Sequence, residues 1–545
     1  MLIYLDIETD GLDPTRIWCA VTRENGVNKV HTSPESLSEA LRSDLSVVGH
    51  NLLGFDLPVL ERLWGLSVEP KRIVDTLVLS RLADPSREGG HSLRNWGALL
   101  GFPKGDYNDW SKLSQEMVEY CKRDVEVTEA VHTRLIRDMS CFSEDSIILE
   151  HQVQALMNQQ ELNGWLLNQN KARELCATFK ERMNEIEETL QQRFPPIIHK
   201  RVSDKTGKQL KDRIEVFNVG SRPQIARRLG QLGVIFSKVT EKGNPIVDES
   251  VLETVDLPEA RSCLEYLMLQ KRYAQVDSWL EHLNPETGRV HGRVISNGAV
   301  TGRMTHMSPN MAQVPSSNSP YGSECRSCWA VPTGTKLVGF DASGLELRML
   351  AHYMNDEEFT NVLLTGDVHT RNQEAAGLGT RAEAKTFIYA FLYGAGDEKI
   401  GSITGGGSRH GKELKQRFLR NTPHLERLRE SVSRASSRGY LRGLDGRRLY
   451  VRSAHAALNT LLQSAGAVVM KKALVILDDY ARQWSLEYKF IGNIHDEVQT
   501  EVRGDQADKF GWLAVECLKA AGLEFGLRCP LDGEYKIGTT WAETH

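Results

Sequence analysis

Two sets of acidic residues in this sequence are spaced to hold divalent cations. In the first, Asp6 and Glu8 stand at i and i+2 at the end of the apolar run LIYLDIE, so on a strand both side chains leave one face of the pleat. Asp56 follows in HNLLGFDLPVL at the predicted start of a helix, and YCKRD places Tyr120 and Asp124 at i and i+4 on one helical face. Four carboxylates and a tyrosine can hold two divalent ions roughly 3.5–4 Å apart, activate a water and support in-line phosphodiester cleavage. Hard oxygen ligands suit Mg²⁺ or Mn²⁺ rather than Zn²⁺. Singly, each acid is an ordinary surface or capping residue. The ordered set D-x-E, N-x(4)-D, Y-x(3)-D carries the reading.

The second set lies far downstream. KLVGFDASGLELRMLAHYM predicts a buried strand ending in Asp341, a Ser343-Gly344 turn and a helix carrying Glu346 and Arg348; YKFIGNIHDEVQTEV predicts two strands with His495-Asp496-Glu497 at the bend. Two strand-end aspartates on one sheet can share two Mg²⁺ ions. Nucleotidyl transfer needs that arrangement: one ion lowers the pKa of a 3′-hydroxyl, and the other screens a triphosphate and its leaving pyrophosphate. Between them, Arg381, Lys385, Tyr389 and Tyr393 recur every four residues along one predicted helical stripe. Cations on such a stripe bind phosphates, and aromatics stack on a sugar or base.

The first set resembles the proofreading 3′→5′ exonuclease superfamily. The resemblance implies metal ligation by Asp6, Glu8 and Asp124, support from Asp56, and Tyr120 orienting the attacking water. The later segments, together with NGAVTGRMTH, SPNMAQVPSS, PYGSECR, HAALNTLLQSAGA and PLDGEYKIGTTW, are similar to the motifs of family A (polymerase-I-like) DNA polymerases, and most closely to the replicative polymerases of short-tailed bacteriophages. That resemblance covers nearly the whole chain. It implies Asp341 and Asp496 as metal ligands with the Ala342 carbonyl as a third oxygen, Glu497 in support, and two Mg²⁺ (or Mn²⁺) per active site. It also implies His369, Arg381 and Lys385 on the incoming deoxynucleoside triphosphate, Tyr389 against its sugar, and Glu346 closing the space of a ribose 2′-hydroxyl. Arg303, Gln313, Tyr393, Gln463 and His495 would contact primer-template DNA near the nascent pair. A hydroxyl at Tyr389, rather than phenylalanine, implies good use of dideoxynucleotides. Implied partners are a phage helicase-primase and a single-strand-binding protein. Phe194 to Ser221 forms only a short basic loop where the phage relatives carry the insertion that recruits a host thioredoxin clamp, so that partner is not expected.

Positioning these residues requires several folding units, and 545 residues with 40% hydrophobic content are too many for one compact core. The first 140 residues alternate strand-like runs (LIYLDIE, LSVVGHN, RIVDTLVL) with helical patterns (SLSEALRSD, PVLERLWG, and EMVEYCKRDVEVTEAVHTRLIRDM), an α/β pattern. Ser143 to Gln192 reads as helix throughout and ends at Pro195-Pro196. Ser221 and Pro223 predict the start of another helix. Strands return from Arg289, with a helix-rich basic block from about Glu346 to Gly439. The expected fold class is multidomain, α/β and α+β: an RNase-H-like exonuclease domain (1–140), then a right-hand polymerase. Its expected parts are a thumb (141–288), a first palm segment (289–345), fingers (346–440) and a second palm segment (441–545).

Composition narrows the class further. The aromatic residues are spread along the chain and no Pro-rich tract occurs, which argues against disorder. The longest apolar runs, such as AGAVVM at 465–470, fall short of the roughly 20 residues of a membrane span. MLIYLDIETD lacks the basic start of a signal peptide, so a cytoplasmic protein is expected, in the host cell if viral. The nine cysteines include one CxxC, Cys325 and Cys328, without a second pair at zinc spacing; they read as reduced, buried thiols. Net charge is −5, yet Arg409 to Arg452 holds 13 Lys or Arg against four acids. A second basic run comprises Lys200, Arg201, Lys205, Lys208, Lys211 and Arg213. Both suit phosphate backbones. A nuclease whose second half only positions DNA predicts degradation without synthesis, and the intact Asp341, Asp496, Arg381 and Lys385 count against it. A non-catalytic scaffold predicts carboxylates missing from one or both centres; none is missing.

Overall fold

The computed structural model describes residues 1–42, 44–202 and 207–544; Lys205 of the second basic run lies outside them. The N-terminal unit is a five-stranded mixed sheet of β1 (Leu2–Thr9), β2 (Ile17–Glu24), β3 (Val27–His31), β4 (Ser46–Gly49) and β5 (Ile73–Asp75), in the order β3-β2-β1-β4-β5. β4 and β5 run parallel to β1, and β2 pairs antiparallel with it. Alternation along β1 sorts its side chains: Ile3, Leu5 and Ile7 enter one apolar core, and Tyr4 enters another with Cys121 and Val125 of helix Gln115–Asp138. Asp6 and Glu8 share the phase of Tyr4. They therefore face that helix.

RIVDTLVL behaves differently from its strand pattern. Only Ile73–Asp75 is strand, and Thr76–Ala83 is helix. The Asp75 carboxylate accepts from the Leu77 backbone N–H as an N-cap, which switches the chain from extended to helical. The long helix expected from Ser143 to Gln192 is two, Glu144–Asn163 and Gln169–Arg193. Gly164 ends the first at φ +61, and a Cβ there would fall 2.7 Å from the His291 ring. Trp165–Leu167 then pairs as a strand with Arg289–Val290 and Trp329–Ala330. Burying Trp165 and Leu167 outweighs the helical propensity of the segment.

Helices Gln169–Arg193 and Pro258–Glu281 pack along one another, with the Arg182–Glu265 and Arg193–Glu259 ion pairs between them. The basic run forms a hairpin, Ile197–Val202 with Gln209–Glu215. The C-terminal half is built on a four-stranded antiparallel sheet in the order Tyr488–Ile494, Glu497–Arg503, Thr335–Ala342, Gly533–Gly538. Seven helices from Leu345–Met354 to Pro423–Ser436 lie between its first two strands in sequence. Helices Ala457–Gln483 and Ala507–Glu524 support it. The former is long and apolar enough to cross a membrane, but 83% of its apolar window is buried inside the protein; it is a core helix. Cys325 and Cys328 are buried in the same apolar cluster as Trp329, and burial pushes both thiols up to about 12.

Candidate active sites

In the N-terminal unit the five expected residues line one cavity of about 390 Å³, together with Lys104. Asp6 and Glu8 come from β1, Asp56 begins helix Asp56–Trp64, and Tyr120 and Asp124 project from helix Gln115–Asp138. Asp56 is buried and accepts from the Ile7 backbone N–H at 3.2 Å, which ties helix Asp56–Trp64 to β1. Burial, and then the Asp124 charge, push the Asp6 carboxyl up to about 7. Burial and the Asp6 charge push Glu8 up to about 10, and the same two causes hold Asp56 well above the usual range. Burial carries Asp124 to about 6. Glu8 Oε1 and Asp124 Oδ1 are buried without a hydrogen-bond partner. Crowded, desolvated carboxylates with orphaned oxygens are a donor set that a divalent cation satisfies.

One cation is already present in the cavity. Lys104 pairs with Asp124 and lies 4.8 Å from the centre of the Tyr120 ring. Burial opposes the ammonium charge, but the neighbouring Asp124 raises its pKa overall. Tyr107 and Trp110 pack against Tyr120, at 5.8 and 5.9 Å between ring centroids. Lys104 stands in the loop FPKGDYND, where no local pattern marks it.

On the C-terminal sheet, Asp341 stands at the end of its strand with Glu497 as its cross-strand partner, and the Ala342 N–H donates to the Asp496 carbonyl at 3.3 Å. The backbone next to Asp341 thus lies against the bend that carries Asp496. His495 makes the bend at φ +62. Glu497 is buried, with polar groups around its carboxylate. Trp541 Nε1 and Gln499 Nε2 donate to it, the latter at 2.8 Å, and Arg326 Nη1 lies 3.6 Å away. Arg326 also sits 4.4 Å from the Trp541 ring centre and donates to the Pro315 carbonyl. Burial lowers its pKa, an effect that Glu497 opposes. Arg326 and Trp541 are contributions that sequence reading missed: the first was passed over beside the CxxC cysteines, and the second lies in the terminal motif.

Above the sheet, Glu346 in the first turn of helix Leu345–Met354 accepts from Arg303 at 3.1 Å and from the Tyr393 hydroxyl at 2.7 Å. Three residues separated in sequence are therefore one cluster. The expected stripe lies on helix Arg381–Leu392, whose start is set by a Thr380/Glu383 capping box. Tyr393 is its C-cap rather than a helical residue. Tyr389 is half-buried beside Tyr393 and His369, at 6.3 and 6.4 Å between ring centroids. Burial raises its hydroxyl pKa, with the Glu346 and Asp496 charges adding to it. Arg381 and Lys385 are exposed, and Arg381 pairs with Asp367 at 2.5 Å. Asp367 also caps helix Val368–Ala376 by accepting from the His369 N–H. Sequence reading missed this aspartate. His369 Nδ1 is buried without a partner. Gln313 is exposed on a 3₁₀ turn and Gln463 half-buried on helix Ala457–Gln483.

The model of the family described as DNA polymerase family A matches residues 180–543. The chain belongs to that family. It is 33% identical to the DNA-directed DNA polymerase of Enterobacteria phage T3 over 705 aligned positions that span 100% of each chain. Identity and coverage are the same for the DNA-directed DNA polymerase of Escherichia phage T7. The fold is similar to the solved POL domain of Pol1 from M. smegmatis, in complex with DNA primer-template and dNTP, at a TM-score of 0.81 and 17% identity over 99% of this chain and 95% of that one. The right-hand fold of the family, preceded by the α/β unit, is therefore the architecture of this molecule.

Proposed function

We propose that the protein extends a primer 3′ end on a DNA template by two-metal nucleotidyl transfer, and excises mispaired ends at the N-terminal cavity. The observation that carries the reading is the presence of two separate carboxylate centres, on two sheets, in one family A chain. In this reading residues 1–140 are the exonuclease domain, 141–288 the thumb, 289–345 and 441–545 the palm, and 346–440 the fingers.

Asp341, Asp496 and the Ala342 carbonyl would hold the cations of the polymerase centre; Asp6, Glu8 and Asp124 those of the other. When bound, Mg²⁺ lowers the pKa of the attacking hydroxyl or water and screens phosphate charge. Glu497 is held by Trp541, Gln499 and Arg326 beside Asp341. Arg381, Lys385 and His369 would bind the triphosphate. Arg381 must exchange Asp367 for phosphate oxygens as it does so, which makes the pair a latch on the nucleotide-binding helix. Glu346, fixed by Arg303 and Tyr393, would present a rigid wall to the sugar. Tyr120 would orient the water for excision. Arg303, Gln313, Tyr393, Gln463 and His495 would line primer and template. The reading places the enzyme in the cytoplasm, with a helicase-primase and a single-strand-binding protein as partners. The direct test is a 5′-labelled primer on a longer template with Mg²⁺. Lengthening with deoxynucleotides, shortening without them and neither in chelator are expected. A primer that shortens but never lengthens overturns the polymerase assignment.

Two further outcomes follow from named residues. Tyr389→Phe removes the one hydroxyl on the stripe that faces the sugar; the ratio of dideoxy- to deoxynucleotide incorporation should fall by at least about tenfold, or about 1.4 kcal/mol. An unchanged ratio would count against sugar contact at Tyr389. The hairpin carries exposed Lys200, Arg201, Lys208, Lys211 and Arg213, and these are proposed to grip duplex phosphates without a thioredoxin clamp. In Lys208→Ala/Lys211→Ala, processivity should drop and the slope of log affinity against log salt should flatten by roughly 1.8. Equal slopes in mutant and wild type would remove the hairpin from the DNA path.

A further inference from the structure

Behind Asp6, outside the residues that line the excision cavity, lies a thiol that the proposed chemistry does not use. Cys121 follows Tyr120 on helix Gln115–Asp138 and is buried against β1. Its Sγ donates to both the backbone carbonyl and the Oδ2 of Asp6, each at 3.5 Å. One ligand atom from each of Asp6, Glu8 and Cys121 can be chosen so that all three lie within 4.8 Å of one another. Glu8 is 5% exposed, and its Oε1 has no hydrogen-bond partner. Cys19, directly across from Glu8 in the β1–β2 register, is hydrogen-bonded to the Cys121 thiol.

Two carboxylate oxygens and a sulfur differ chemically from the all-oxygen set that Mg²⁺ prefers. Thiolate selects soft and borderline cations, and Mg²⁺ has little use for it. A tetrahedral ion with bonds of about 2.0–2.3 Å needs these three donors to draw in by about an ångström, which side-chain rotation supplies. The cavity side remains open for a fourth ligand.

We propose that Cys121, Asp6 and Glu8 form a mixed carboxylate–thiolate site that takes a thiophilic divalent cation, Cd²⁺ or Zn²⁺, in competition with Mg²⁺. Binding forms a metal–sulfur bond, breaks the S–H bond and releases that proton to solvent, with no change of oxidation state. A thiophilic ion anchored by sulfur would draw Asp6 and Glu8 toward the helix and away from the position in which they serve excision. Contaminating soft metals would then suppress shortening while lengthening continues on the other sheet. The proposal rests on reading Asp6 and Glu8 as the cation-holding pair of the excision centre.

The test uses the full chain in a Cys141→Ser background, which removes an exposed thiol. Cd²⁺ is titrated in without DNA, and the ultraviolet thiolate-to-cadmium charge-transfer absorption is read. A saturable band is expected, absent in Cys121→Ser, weakened at least about tenfold in apparent affinity by Glu8→Gln, and displaced by excess Mg²⁺. Glu8→Gln leaves the thiol in place, so it decides the matter if Cys121→Ser does not fold. No band in the parent, an equal band in Cys121→Ser, affinity unchanged in Glu8→Gln, or a band indifferent to Mg²⁺ would overturn the site. Primer shortening by the Mg²⁺-loaded wild type is scored separately. Its absence would overturn the excision reading, and the absorption result would stand by itself.

Discussion

Asp496→Ala is expected to lower primer lengthening by at least about 10³-fold while primer shortening continues at the wild-type rate. A factor of 10³ corresponds to about 4 kcal/mol of transition-state stabilisation, the scale expected on losing a carboxylate that would hold a catalytic cation. The loss is confined to one centre because Asp496 lies at the bend between Tyr488–Ile494 and Glu497–Arg503, on a sheet separate from β1. Structural collapse does not explain such a loss: Asp496 is partly exposed, and its backbone carbonyl, not its carboxylate, receives the Ala342 N–H. The alanine variant keeps that hydrogen bond. Single-turnover extension with saturating deoxynucleotide separates a lost chemical step from lost binding. Equal rates for mutant and wild type would mean that Asp496 holds no catalytic ion.

Asp6→Ala is expected to give the reverse pattern, with shortening lowered by at least about 10³-fold and lengthening intact. Asp6 is one of four crowded carboxylates, and its charge contributes to the raised pKa of Glu8 and of Asp56. Removing it relieves repulsion in the metal-free protein, so the variant should melt no lower than wild type in chelator. The same removal leaves a divalent ion with too few oxygens, so the rise in melting temperature on adding Mg²⁺ should shrink. Differential scanning calorimetry with and without Mg²⁺ measures both. If shortening survives in Asp6→Ala, the cavity is not where excision takes place.

Much of this was legible because local chemistry and local periodicity coincide. A buried strand that ends in a carboxylate declares itself through an apolar run stopped by an acid, and LIYLDIE, KLVGFD and YKFIGNIHD all do so. The i, i+4 spacing of Tyr120 and Asp124, and the stripe from Arg381 to Tyr389, are helix geometry written directly in residue order. Element boundaries were less legible. The stretch from Ser143 to Gln192 has helical propensity throughout, but the strand Trp165–Leu167 forms because two distant strands bury it. RIVDTLVL has strand-like composition, but the Asp75 cap turns its second half into helix.

The sequence by itself determined which residues are candidates for the chemistry at each centre, because metal ligation and phosphate binding demand particular side chains at particular spacings. Only the tertiary structure decided which charges face them. Lys104 reaches Asp124 from a loop 20 residues earlier, Asp367 engages Arg381 across 14 residues, and Arg326 and Trp541 meet Glu497 from opposite sides of its strand in sequence. The Cys121 thiol likewise lies behind Asp6 although 115 residues separate them. These partners have no preferred sequence spacing. A counter-charge or thiol need only lie within a few ångströms, and the packing of the two sheets with their helices sets that distance.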